Sequence, residues 1–329
     1  MIEFCLWLVI VVIITAISVI AIPILIITSP LWASTLLVIY LLLKALGLSS
    51  IVSNKCSQIY DWLFFKSDKP RKFLWRNFYN ALCYMFPQEE WKTMNYGYAV
   101  SSETGYMIVL AKEEESERFS YQLYHFMATG FKKTGNLQGQ IIVEVGSGRG
   151  GGLAYVVRNL KPLSALGVDY SKQQVEFCKR TYTYPNISFV EGDAENLPIK
   201  DDSVDMVLNV ESCHCYGNFK KFVGEISRVL KSDGRFMLTD FIVADRVPAF
   251  EAVLKEFFDI SEKKDITPNV LLSLKFDSDR RMELIQNRTP ICCRRLLKRF
   301  SGSEGSAIYL ELESRRSLYL AYNLVKKSS

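Results

Sequence analysis

Histidine is nearly missing from this chain: 329 residues hold two, His125 and His214. Eight cysteines (Cys5, Cys56, Cys83, Cys178, Cys213, Cys215, Cys292 and Cys293) form no C-x-x-C pair. None stands at zinc-finger spacing, so a structural zinc site and a thioredoxin-type redox pair both lack ligands. Adjacent Cys292–Cys293 and the C-x-C of Cys213 and Cys215 are poor geometry for a disulfide within the chain. Reduced thiols in a cytosol-facing domain are therefore expected. A basic stripe is also missing. The 40 Lys and Arg against 35 Asp and Glu leave a net charge of +5, short of a nucleic-acid binder's footprint. There is no internal repeat and no low-complexity tract. Only Glu3 precedes the first apolar run, with no Lys or Arg, so cleavage of that run as a signal peptide is not expected.

What is present begins with that apolar run. Mean hydropathy is +0.08 with 49% apolar residues, and most of the excess sits in residues 1–46. Residues 4–28 carry no charge. About twenty such residues suffice to span a bilayer as helix. Ser29-Pro30 interrupts, and a second uncharged run, residues 31–43, leads to Lys44. Two geometries fit: one span plus an interfacial segment, or a helical hairpin turning near Pro30. Lys55, Lys66, Lys69, Arg71, Lys72 and Arg76 follow, interleaved with aromatics such as Trp62, Phe65, Phe73, Trp75 and Tyr79. Cations beside aromatics suit a headgroup layer, and the basic side stays cytoplasmic; the same aromatics equally suit the core of a helical lid. The expected organisation is a transmembrane anchor over 1–46, a basic and aromatic interfacial linker and lid over 47–90, and a globular domain over 91–329. The bilayer is then a partner, and the globular domain faces the cytoplasm (on the endoplasmic reticulum in a eukaryote).

Past Pro87 helices and strands alternate, which points to an α/β parallel sheet. In "EEESERFSYQLYHFMATGF", Phe119, Leu123, Phe126 and Met127 recur at helical spacing. "QIIVEVGSGRGGG" reads as a buried strand entering a glycine-rich turn, and "SALGVDYS" as a second strand. Ser171 caps the helix "SKQQVEFCKR". "NISFVEGDA", "DSVDMVLNVES" and "RFMLTDF" complete five strands, and Gly234 is expected to stop the helix "FKKFVGEISRVLKSDG". In such sheets the ligand sits beyond the carboxyl ends of the strands. Those ends carry Glu144, Gly146, Gly148, Asp169, Asp193, Asn209, Glu211 and Asp240.

Gly146 to Gly151 fits G-x-G-x-x-G, and taken alone suits a dinucleotide, with Asp169 placed for a nicotinamide ribose. Three features turn the reading. Glu144 stands two residues before the first glycine, and "EVGSGRG" resembles motif I of the class I S-adenosylmethionine-dependent methyltransferases. "EGDAENLPIKDDSVDMV" resembles that family's L-P-F-x-D-x-S-F-D-x-V, and "RVLKSDGRFMLTD" its R-V-L-K-P-G-G, with Ser232 and Asp233 in place of Pro and Gly. The resemblance covers residues 90–329. It implies a Rossmann-like sheet with helices on both faces and S-adenosylmethionine as cofactor. It also implies that Glu144, Gly146, Ser147 and Gly148 cradle the amino-acid part. Asp169, beside Tyr170, then takes the ribose hydroxyls, Asp193 and Ala194 the adenine, and Asn209 a further cofactor position.

"NVESCHCYGNFKKFVGEISRVLK" looks like the sterol-methyltransferase-like group, especially bacterial enzymes that O-methylate phthiotriol lipids, which carry N-V-E-S-S-H-C-Y here. "WKTMNYGY", "QLYHFMA" and "DITPNVLLSL" agree. The sterol enzymes' aromatic signature Y-E-Y-G-W-G is absent; "MNYGYAVSS" stands near its place. The resemblance implies an apolar lipid, polyketide-like or terpenoid acceptor, most simply methylated on oxygen. A hydroxyl acceptor loses a proton, and His214 is the leading base, with His125 a second candidate; either histidine equally suits a lining or structural role. If the nucleophile is an alkene carbon, Glu211 with Tyr96, Tyr98, Tyr124 and Tyr216 stabilises the cation. Glu211 equally suits a loop anchor. The helix holding Phe250, Val253, Leu254, Phe257 and Phe258, and the segment "DITPNVLLSLKF", either roof the acceptor cavity or pack the core. No metal is expected, because Cys213-His214-Cys215 lacks further ligands. A relative that binds cofactor or lipid without turnover, and a nicotinamide oxidoreductase, are the competing classes.

Overall fold

A computed structural model describes residues 69–85, 91–100, 106–289, 294, 297, 298 and 301–327. All belong to one compact unit, Leu63–Ser329. The expected anchor over 1–46 and most of the linker over 47–90 lie outside the described residues. Among those described, no helix is long and apolar enough to cross a membrane.

The elements are, in chain order, α1 Lys69–Met85, α2 Arg118–Ala128, β1 Ile141–Val145, α3 Gly151–Leu160, β2 Ser164–Asp169, α4 Lys172–Thr181, β3 Ile187–Glu191, β4 Val204–Val210, α5 Phe219–Val229, β5 Leu230–Val243, α6 Val247–Phe257, β6 Phe258–Asp265, α7 Thr267–Phe276, α8 Ser278–Arg288, α9 Ala307–Glu313 and β7 Ser317–Lys326. The strands form one sheet in the order β3-β2-β1-β4-β5-β7-β6. β1 to β5 run parallel, and β7 is inserted antiparallel between β5 and β6.

Strand chemistry explains this arrangement. Successive side chains of a strand point to opposite faces. Ile142, Leu208, Met237 and Tyr319 join one core cluster with Leu123 and Met127 of α2. Their neighbours Val143, Val207, Phe236 and Leu320 join the other, with Phe222 and Ile226 of α5. A sheet buried on both faces needs near-continuous apolar strands, as β1 and β4 are. β6 departs from this rule because it is an edge. Its Glu262, Lys263 and Lys264 keep that rim polar, and this charge hid the strand in the sequence.

One helix reading changes, and one open choice closes. α5 ends at Val229 rather than running to Gly234, because Leu230 already pairs with Val204 as strand. The left-handed residue is Asp233, at φ 61°, not Gly234. Gly234 is required by space: a Cβ there would meet the Lys231 carbonyl oxygen at 2.8 Å. Of the two roles open to α6, it fills the core. Phe250 stacks on Phe219 at 4.3 Å, Leu254 is buried, and Phe258 opens β6 inside the core. Ser171 does cap α4, accepting from the Gln174 amide at 3.2 Å.

Candidate active site

The carboxyl end of β1 sets the site. Gly146 turns the chain at φ 76°, a conformation that costs glycine nothing. A Cβ there would collide with the Ser212 and Tyr216 hydroxyls. The Gly146 amide donates to the Val168 carbonyl at 2.8 Å and the Gly148 amide to Asp169 Oδ2 at 2.8 Å. The turn is thus fastened to the end of β2. Asp169 Oδ1 accepts from the Ser171 amide at 2.8 Å. Burial raises the Asp169 carboxyl, against the pull of these two amides.

Glu144 is fully buried and accepts from the Tyr124 hydroxyl at 2.6 Å. Burial pushes its carboxyl up to about 8, with the Tyr124 bond opposing and the Asp169 charge adding. An acid raised in the folded state stabilises fully below its unfolded value near 4.5, and that contribution is lost as pH rises through about 8. Glu144→Gln keeps an oxygen for Tyr124 and removes the charge. In thermal unfolding without cofactor, the variant is expected to gain more over wild type at pH 8 than at pH 5. Equal differences at the two pH values would show that Glu144 titrates normally.

The glycine turn, Ser147, Asp169, Tyr170, Asp193, Ala194 and Glu211 line one cavity with Tyr124 and Tyr216. Lys72, Trp75, Arg76 and Tyr79 of α1 form part of its wall. Lys72 pairs with Asp193 and lies 3.4 Å from Glu195. Lys72 and Arg76 both sit 5.0 Å from the Tyr170 ring centre, in cation–π range. Asp193 Oδ1 also accepts from the Glu195 amide at 2.9 Å.

Asn209 and Glu144 do not line the cavity but brace it. Asn209 Nδ2 lies 2.8 Å from the Val145 carbonyl, 2.7 Å from Ser212 Oγ and 2.9 Å from the Tyr216 hydroxyl. Glu211 holds a left-handed backbone, φ 48°, rare for a residue with a Cβ. Its amide donates to the Thr239 carbonyl at 2.9 Å. Its carboxylate accepts from the Tyr96 amide at 2.6 Å and from the Tyr319 hydroxyl. Burial pushes this acid up to about 7, against the Tyr319 and Tyr96 bonds.

His214 follows in a short 3-10 turn, Cys213–Cys215. Its Nδ1 lies 2.9 Å from Oδ1 of Asp240, within β5. A carboxylate only accepts, so Nδ1 carries the proton and Nε2 keeps its lone pair in the neutral ring. Burial alone would lower the imidazole; the Asp240 charge overrides it and holds it well above 6.5. The Cys213 thiol also faces Asp240, at 3.0 Å. Trp75 meets the His214 ring edge-on at 5.5 Å and Phe241 packs at 4.6 Å. Tyr96 joins this aromatic group through Phe241, at 6.0 Å.

His125 stands apart. Its Nε2 lies 3.0 Å from the Lys133 carbonyl and its Nδ1 3.0 Å from the Tyr155 hydroxyl. The carbonyl must receive a proton from Nε2, so Nδ1 accepts from Tyr155. Both nitrogens tie α2 to its surroundings, and neither is spare for an acceptor. Tyr98 is also remote, stacked on Phe126 at 4.6 Å. Asp240, Lys72 and Trp75 carry roles that sequence reading did not give them. Asp240 was visible as a strand-end acid, but its pairing with His214 spans 26 residues. Among the described residues no group of three or more His, Cys, Asp or Glu is placed to hold a metal.

The cavity suits a zwitterionic, hydroxylated ligand. Ser147 Oγ, Gln174 Oε1 and Asn95 Nδ2 are buried in its lining without a hydrogen-bond partner. Buried polar groups are ordinarily paired, so these are donors and acceptors set for a bound molecule. S-adenosylmethionine, with an ammonium, a carboxylate, a ribose diol and an adenine, fits that inventory.

Residues 143–238 match the family described as Methyltransferase domain. A phthiotriol/phenolphthiotriol dimycocerosates methyltransferase of Mycobacterium tuberculosis is 32% identical over 78% of this chain and 93% of its own length. A fatty-acid O-methyltransferase of Mycolicibacterium smegmatis is 31% identical over 71% of this chain and 82% of its own. Among solved structures, a putative sarcosine dimethylglycine methyltransferase from Galdieria sulphuraria superposes with TM-score 0.57 at 17% identity, covering 76% of this chain and 97% of that one. Geranyl diphosphate C-methyltransferase from Streptomyces coelicolor, crystallised with S-adenosyl-L-homocysteine, gives 0.54 at 15%, covering 79% and 100%. These two bear on the fold alone. With the glycine turn, the sheet order and these relatives together, the chain belongs to the class I S-adenosylmethionine-dependent methyltransferases, in the phthiotriol-lipid group.

Proposed function

We propose that this enzyme methylates an oxygen of an apolar lipid or polyketide-like acceptor, and that residues 1–46 tether it to the membrane with the catalytic domain over 91–329 on the cytoplasmic side. The observation that carries the oxygen reading is the His214–Asp240 pair at 2.9 Å beside the cavity. S-adenosylmethionine supplies an electrophilic methyl group. Gly146, Ser147 and Gly148 hold its amino-acid part, Asp169 the ribose and Asp193 with Ala194 the adenine, while Glu144 fixes the turn from behind. His214 Nε2 takes the acceptor's hydroxyl proton, and Asp240 balances the resulting imidazolium. The relatives named for phthiotriol lipids and for fatty acids support an acceptor of this class.

A second reading, methylation of an alkene carbon, draws on Glu211. Its buried carboxylate, with a value near 7, stands beside Tyr96 and Tyr319 and suits a transient cation. One experiment separates the two. The enzyme is incubated with labelled S-adenosylmethionine and membrane lipids, and the product is analysed by mass spectrometry and carbon NMR. A methoxy or methyl ester carbon is expected. A methyl on carbon would replace the oxygen reading, and no labelled lipid at all would reject lipid methylation. Deleting residues 1–46 is expected to move the protein to the soluble fraction with S-adenosylhomocysteine binding retained.

A further inference from the structure

Asp240 is buried within β5, at 1% exposure, and four donors converge on its carboxylate. The Phe241 amide reaches Oδ1 at 2.9 Å, and the His214 amide reaches Oδ2 at 3.1 Å. The His214 ring brings Nδ1 to 2.9 Å from Oδ1 and 3.1 Å from Oδ2. The fourth donor is the Cys213 thiol, 3.0 Å from Oδ2. A carboxylate offers about four lone-pair sites, so this one is full. Two of the donors are backbone amides. The imidazole and the thiol are the side chains that share the charge.

A thiol is the weaker choice for that place, because S–H donates poorly where a hydroxyl of similar size would donate well. It does keep its proton. Burial first, then the Asp240 charge, hold the Cys213 thiol well above its usual range, with Arg71 opposing. Its position is fixed as well. Cys213 packs in the core cluster with Phe222 and Val223, and its carbonyl accepts from the Tyr216 amide at 3.1 Å. Every donor that satisfies the carboxylate competes with the imidazolium for its charge. A strong donor at Oδ2 would hold the imidazolium less firmly, and the weak one leaves the charge to the ring.

We infer that Cys213 is a positioning residue for the reaction: by donating only weakly to Asp240 it leaves the carboxylate's charge to His214, and so sets the pH above which the base is free. This rests on the oxygen-methylation reading above, in which His214 takes the acceptor's proton. Other groups bear on the pair. Glu211, Tyr96 and Tyr319 lie within electrostatic reach of Asp240, Arg71 of Cys213, and Cys215 of the imidazole. Glu211 titrates near 7, so the test must observe the imidazole itself. All five groups are common to the proteins compared below, and the difference between those proteins belongs to position 213.

The full chain holds two histidines, so isotope-labelled histidine gives two ring signals in detergent solution, and His214→Ala assigns them. In an NMR pH titration, Cys213→Ser is expected to move the His214 midpoint down by roughly half a unit, and Cys213→Ala up by about as much. The His125 signal is the internal control. With membrane lipid extract as acceptor, the acid limb of kcat/KM should move in the same order. If Cys213→Ala does not fold, the serine variant carries the test alone. Coincident midpoints in wild type and Cys213→Ser, or a reversed order, overturn the role of Cys213 and leave the oxygen reading standing. Lost stability without a moved midpoint overturns it too, because the thiol is then a packing group. A His214 midpoint that moves while the acid limb stays, or an extract that yields no labelled product, overturns the oxygen reading and with it the catalytic role of Cys213.

Discussion

Replacing His214 by alanine is expected to lower kcat by roughly 10²- to 10⁴-fold, the usual contribution of a positioned base, while S-adenosylhomocysteine still binds. The cofactor contacts assigned above come from the glycine turn, Asp169 and Asp193, none of which touches the imidazole. The stronger test is Asp240→Asn followed across pH. The base acts in its neutral form, so kcat/KM should rise with pH as the imidazole loses its proton. Burial on its own would lower that titration; the Asp240 carboxylate at 2.9 Å overrides it and holds the imidazole well above 6.5. Asparagine removes the charge and retains an oxygen that accepts from Nδ1. The acid limb should therefore move to lower pH in the variant, and the plateau should fall because the imidazolium loses its counter-charge. A limb that stays in place would show that another group titrates in the wild type. Near-normal turnover in His214→Ala would remove the base assignment outright.

How much of this was legible in the sequence depends on the range of each interaction. The glycine turn was legible, because one strand–turn–helix unit builds it from contiguous residues: Gly146, Ser147 and Gly148 sit together in the chain and in the cavity wall, with Glu144 behind them. Asp169 was legible as a strand end, and the structure adds that its oxygens accept from the Gly148 and Ser171 amides. The acceptor end was only half legible. The cluster "ESCHCYGNF" announced His214 and Glu211, but their partners come from β5, β7 and the segment at Tyr96. No periodicity links such distant positions. The role of His125 stayed open for the same reason: its neighbours Tyr155 and Lys133, which occupy both ring nitrogens, are set by helix packing. The aromatic residues of α1 carried a sequence signal that suited either a headgroup layer or a lid. Within the described part, Trp75 and Tyr79 face the cavity, whereas Phe73 is half exposed. The end of α5 was misplaced because glycine was read for handedness when its function is clearance at Lys231.

Gly152→Ala makes the sharpest stability prediction, because two effects of opposite sign compete at one atom. Gly152 lies in the first turn of α3, and alanine is better than glycine in a helix by about 1 kcal/mol. On propensity alone the variant would be stabilised. A Cβ at this position, however, falls on the Tyr124 ring, which lies flat against the glycine backbone. The ring must shift, and its hydroxyl is the partner of fully buried Glu144 at 2.6 Å. Overpacking costs about 1–3 kcal/mol, and a buried acceptor left unpaired about 1–3 more. Their sum exceeds the propensity gain, so a net loss of roughly 1–5 kcal/mol is expected in urea unfolding. Because Tyr124 also lines the cofactor cavity, S-adenosylhomocysteine binding should weaken together with stability. The double variant Gly152→Ala, Tyr124→Ala removes the collision. It should therefore be more stable than the sum of the single losses predicts, by about 1–3 kcal/mol of coupling. Additive losses would mean that the two residues do not meet, and a stabilised Gly152→Ala would mean that the ring yields without cost to Glu144.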